Sequence, residues 1–224
     1  MIEITKVILA QIWKDFLLEY RARDVLIPIG AFSALIVIIF NFALDIRPAQ
    51  LPTVAPAVIW VAFTFASILG LNHSFSKEKE SHGLDGLMLA PVGREAIYVG
   101  KVISIFLFLI ILEMAILPIF SILFNLDILM PKIWLIATIT TFGFSSIGNI
   151  FSIMALNTRA REIIMPVLFF PITLPIIIAA IEFSKASYQG APWSSTLMWL
   201  QLGLVFDIIF VLLGATLAEH LLQD

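Results

Sequence analysis

Few residues in this chain could do chemistry. Histidine binds haem iron and other metals readily, and the chain has three: His73, His82 and His220. Their spacing forms no ligand set, so no metal site is predicted. The chain has no cysteine, which excludes a disulfide framework, thiol catalysis, cysteine-held metal and covalently attached haem. It has no G-x-x-x-x-G-K-[ST] loop, so it cannot hold ATP in that way, and no G-x-S-x-G, H-E-x-x-H or EF-hand pattern. No catalytic residue and no directly bound cofactor is therefore expected. Three isolated polar groups remain, Glu113, Asn149 and Asp207, each inside a long apolar stretch. A carboxylate at mid-bilayer costs at least about 2.5–3.5 kcal/mol on insertion scales. Glu113 and Asp207 are thus expected to face the protein interior or a dimer seam, protonated or hydrogen-bonded, as a clamp between helices or as a functional site.

The elements holding these groups are membrane spans. The sequence is 61% hydrophobic and 13% charged, against about 45–50% and about 25% in soluble domains. Lipid must solvate much of that surface. Six stretches approach the roughly 20 apolar residues a helix needs to cross: 25–44, 54–71, 102–124, 133–156, 163–181 and 197–218. Buried backbone groups must be satisfied within each segment, so helices are predicted; the period-two pattern of a β-barrel is absent. The fold class is an all-α membrane protein, one domain over 1–224. Small residues Gly143, Ser145, Ser146 and Gly148 accompany Asn149 in the fourth span, a pattern suited to close helix packing. Pro166, Pro171 and Pro175 share the fifth. Each removes a backbone donor and crowds the preceding turn, so that helix is expected to be kinked or broken and to line a cavity or interface. The tryptophans, mostly near span ends, are expected to anchor the interfaces.

Basic residues set the orientation. Lys6, Lys14, Arg21, Arg23, Lys77, Lys79, Arg94, Lys101, Arg159 and Arg161 fall on one side, and Arg47, Lys132 and Lys185 on the other. The positive-inside rule puts both termini in the cytoplasm. No cleavable signal or lipidation motif is expected. Residues 1–24 carry Ile4, Ile8, Ile12 and Phe16 at intervals of four, with Leu9, Trp13, Leu17 and Tyr20 beside them and basic residues on another face. That is the pattern of an amphipathic helix lying in the membrane interface.

One long cytoplasmic loop is expected, 72–101. A charged run, including Lys77, Glu78 and Glu80, is interrupted by Gly83. Leu84, Asp85, Leu87, Met88 and Leu89 follow as a short helix with an apolar stripe, and Pro91 ends it. A long loop beside short ones is usually functional, and a short helix tied to two spans is a lever for a soluble partner.

The pattern F-S-x-E-K-E-S-x-G-L-D-x-L-x-L-x-P at 75–91 resembles the first cytoplasmic loop of ABC-2-like permeases, where a coupling helix meets the ATPase subunit. Within that superfamily the chain resembles the cytochrome c maturation protein B family of haem exporter permeases. A-P-A-V-I-W-V-A at 55–62, the loop itself, and Arg161 followed by F-P-I-T-L-P-I-I-I at 170–178 carry the likeness. The resemblance implies a homodimer in the cell inner membrane with two ATPase subunits that bind ATP. It also implies a haem-handling membrane protein and a haem chaperone as partners, with haem handled by the complex; nucleic acid is not an expected partner. Haem export through the subunit and ATP-driven release of loaded chaperone are both open, the second favoured because no haem ligand set is seen. The alternative is a general ABC-2 exporter of lipid, polysaccharide or drug; a motorless membrane scaffold fits the charged loop poorly.

Overall fold

The computed structural model describes residues 2–20, 23–43, 48–80, 93–127, 130–155 and 161–221. They form α1 (Ile2–Tyr20), α2 (Arg23–Ala43), a 3-10 turn (Pro48–Gln50), α3 (Leu51–Glu80), α4 (Arg94–Phe124), α5 (Pro131–Ala155), α6 (Arg161–Tyr188) and α7 (Trp193–Leu221). Among the described residues, five segments are long and apolar enough to cross a membrane: Leu51–Ser76, Arg94–Phe124, Pro131–Ser152, Pro166–Tyr188 and Trp193–Ala218. The protein is thus a multi-pass, all-helical membrane protein. Ile27–Ala43 in α2 is apolar over a shorter length. The helices outrun the apolar stretches read from sequence, because backbone hydrogen bonding continues past the lipid into polar residues.

Packing inverts a soluble fold. The least apolar of these spans, that of α5, is the central one: 78% of it is buried, against 28% for the strongly apolar α7. It packs against α4, α6 and α7, while α3 packs against α2, α4 and α6. Lipid already solvates leucine well, so closeness of approach and hydrogen bonds hold such helices together. Gly148 shows this: a Cβ there would press on Leu71 of α3. A ladder of aromatic rings ties three helices, Phe63 stacking on Phe144 at 6.0 Å and Phe144 meeting Phe169 edge-on at 5.5 Å.

Two expectations need correction. Of the kink or break expected at the three prolines, the break is absent: α6 runs without interruption from Arg161 to Tyr188 through Pro166, Pro171 and Pro175. Pro171 and Pro175 lie exposed on the outer face, so of the expected cavity or interface only an interface remains for them. The opposite face, Phe169, Thr173, Ile176, Ala180 and Phe183, is fully buried at steps of four and three, and that packing holds the helix together. Trp60 is no interface anchor either. It is 3% exposed, and its Nε1 donates to Ser184 Oγ at 3.0 Å. A buried tryptophan needs a partner for its N–H, and Ser184 of α6 supplies it.

Candidate functional site

Three groups of residues surround the predicted working parts. The first is the base of the loop. Helix α3 continues to Glu80 and α4 begins at Arg94, so much of 72–101 is helix. The backbone of Lys77, Glu78 and Glu80 belongs to the last turns of α3; Gly83, Leu84, Asp85, Leu87, Leu89 and Pro91 lie outside the described residues. At the far end of that stretch, in α4, Lys101 is 4% exposed. Its Nζ pairs with Asp15 Oδ2 of α1 at 3.2 Å and stands 5.9 Å from the Phe75 ring of α3. Gln11 Nε2 donates to Ile97 O at 3.2 Å. The N-terminal helix therefore grips the first turns of α4 through Gln11 and Asp15 and exposes Leu9, Trp13 and Leu17. Sequence periodicity located the helix but missed this polar grip, whose signal is one buried glutamine among isoleucines.

The second group joins α4, α5 and α7 at the same end. Tyr98 is 1% exposed. Its hydroxyl donates towards Ser146 O at 3.2 Å and Phe210 O at 3.4 Å. Asn149 Nδ2 returns a bond to Tyr98 O at 3.1 Å, which is the role of the Asn149 singled out from sequence. Gly214 makes room for the ring: a Cβ there would run into the Tyr98 hydroxyl. Nothing in the sequence marked Tyr98, since its partners are backbone carbonyls.

The third group holds the two acids at mid-span. Glu113 is 2% exposed and accepts a hydrogen bond on Oε2 from Thr141 Oγ1 at 3.0 Å. It borders a small, mostly apolar cavity walled by α3, α4, α5 and α6. Asp207 is 5% exposed and lies against Gly143, where a Cβ would stand 2.5 Å from Oδ1. That oxygen has no hydrogen-bond partner among the described residues. Both acids are buried within this one chain, on two flanks of α5. Glu113, Asn149 and Asp207 thus all engage α4–α5 or α5–α7 contacts, whereas the three prolines stand apart from them.

The family model described as CcmB protein matches residues 6–220. "Heme exporter protein B" of Pseudomonas aeruginosa is 25% identical over 170 residues, 75% of this chain and 76% of the relative. The protein of that name from Bradyrhizobium diazoefficiens is 25% identical over 162 residues, 71% of this chain and 72% of its own. That from Escherichia coli K12 is 29% identical over 97 residues, 41% and 44% of the two chains. With the match running from the N-terminal helix to the last turn of α7, the chain belongs to the CcmB protein family.

Proposed function

We propose that this chain is the permease subunit of an ABC-type complex for cytochrome c biogenesis. In this reading Ile27–Ala43 is a sixth span, at the short end of the roughly 17–25 residues that cross a bilayer. Both termini and residues 81–92 then face the cytoplasm, as the basic residues require. Helix α1 lies in the interface, its exposed Leu9, Trp13 and Leu17 in lipid. The segment 77–91 docks on a separate ATPase subunit, which binds ATP. Two copies of the chain work with two ATPase subunits, a haem-handling membrane protein and a haem chaperone, in the cell inner membrane.

ATP-driven motion enters through the loop and leaves through its two flanking helices. Lys101 and Gln11 tie the base of α4 to α1, and Tyr98 ties it to α5 and α7. A push on the loop therefore moves α1, α4, α5 and α7 together rather than bending one helix. That motion serves release of haem-loaded chaperone or haem export, the former being favoured by the lack of a haem ligand set in the sequence. The observation carrying the reading is the family match over residues 6–220, which includes the whole loop. Mass spectrometry of partners retained after mild detergent extraction tests it. An ATPase and a haem-handling protein are expected; a stable preparation retaining neither refutes it.

A further inference from the structure

The cavity beside Glu113 lies towards one end of the bundle, where α3 and α5 begin and α4 and α6 finish. Trp60, Phe120, Ala137, Ser184 and Tyr188 wall it, with Glu113 deepest along α4. It has room for about one water molecule. A water is held in such a space only where polar partners are present, typically two to four. Glu113 offers them. A carboxyl group has about four lone-pair sites, and among the described residues the one donor to it is Thr141, on Oε2. Ser184 Oγ already accepts from Trp60 Nε1 and still has a proton to donate.

We propose that this cavity admits water from that end of the bundle and makes Glu113 a proton-exchanging site at mid-membrane. A hydronium ion gives its proton to the Glu113 carboxylate, leaving water and a carboxylic acid; the reverse step releases it. Tyr188, on the same cavity wall, is the other titratable side chain facing this space among the described residues. Asp207 stands against Gly143, about 200° round α5 from Thr141 by helical geometry, and belongs to a separate contact. The Asp15–Lys101 ion pair lies about 18 Å away along α4. Neither α2 from Ile27 onward nor the middle of α3 carries a charged residue. The site gives the protein a means of taking up a proton from one aqueous phase, independently of the ATPase reading.

The test is infrared difference spectroscopy of the full chain in lipid nanodiscs, stepped from acidic to alkaline heavy-water buffer. The expected result is a component of the intensity moving from the carboxylic-acid to the carboxylate region that is missing in Glu113→Gln, while the other carboxyl groups of the chain still contribute theirs. Ala137→Leu, which fills the cavity, slows the conversion by about tenfold or more. If that variant fails to assemble, the smaller Ala137→Val takes its place. A folded wild-type protein with no Glu113-dependent conversion overturns the proposal, as does an unchanged rate in the filled variant.

Discussion

The contact between Tyr98 and Gly214 gives a sharp quantitative test. Substituting Gly214 by Ala puts a methyl group where the Tyr98 hydroxyl and ring edge now lie. The ring cannot swing away easily, because Tyr98 is 1% exposed and bonded to Ser146 O and Phe210 O. Overpacking of a well-filled interior costs about 1–3 kcal/mol. Loss of the two hydroxyl bonds adds about 0.6 kcal/mol each, the average for membrane interiors. Gly214→Ala should therefore cost about 2–4 kcal/mol. Tyr98→Phe should cost far less, about 0.6–1.7 kcal/mol, since both carbonyls keep their helical partners. Tyr98→Ala opens a hole that the new methyl group at position 214 partly fills. The double variant should therefore be more stable than the sum of the two single losses, with coupling of about 1 kcal/mol or more. Unfolding of the wild type, the two single variants and the double variant in mixed detergent micelles measures this. If Gly214→Ala costs the same in the wild type and in the Tyr98→Ala background, the close approach of α4 and α7 is wrong.

Three further outcomes are expected. Because Asp207 Oδ1 has no partner among the described residues, Asp207→Ser should lose no more than about 1 kcal/mol in the same unfolding assay, since the buried oxygen it removes gives up no hydrogen bond; a loss of several kcal/mol would mean that the carboxylate binds something. Thr141→Val takes away the donor to Glu113 and should cost about 0.6–1.7 kcal/mol, yet cost much less in a Glu113→Leu background; equal costs in the two backgrounds would show that this hydrogen bond contributes nothing. Single cysteines at Gln50, Asp127 and Gln189 should react with an impermeant thiol reagent outside intact cells, and those at Ser81 and Thr158 should not; labelling at Ser81 would invert the topology.

Much of the architecture was legible because lipid writes a simple rule into sequence: long uncharged runs become helices. The stretch expected as a loop, 72–101, is helix at both ends, through Glu80 and from Arg94, and its middle, 81–92, lies outside the described residues. The burial of Glu113 and Asp207 followed from the cost of a carboxylate in hydrocarbon. What the sequence hid were contacts made by ordinary side chains with backbone carbonyls. Tyr98 reads as one aromatic near a helix start, and Gln11 as one polar residue in an amphipathic helix; their roles depend on which helix lies alongside. The prolines of α6 suggested a break that does not occur, for a related reason. Local chemistry says that proline weakens a helix, but the buried face of Phe169, Thr173, Ile176, Ala180 and Phe183 decides the outcome. Trp60 misled likewise, since Ser184, which satisfies its N–H, is 124 residues away.

In the proposed function, the segment 77–91 is where a soluble ATPase docks. Its apolar stripe, Leu84, Leu87 and Met88, has a membrane surface or a partner groove in which to bury itself. Glu78, Glu80 and Asp85 disfavour the first, because the cytoplasmic leaflet is anionic. Anchors of helix-in-groove contacts commonly contribute more than ~2 kcal/mol when truncated, about thirtyfold in affinity. The decisive quantity is the ratio of ATPase to this chain after mild extraction of the Leu84→Asp/Leu87→Asp variant. Normal insertion and abundance are expected, with the ATPase gone and cytochrome c maturation stopped. An ATPase retained in its normal ratio would refute the docking role and reduce the loop to a connector.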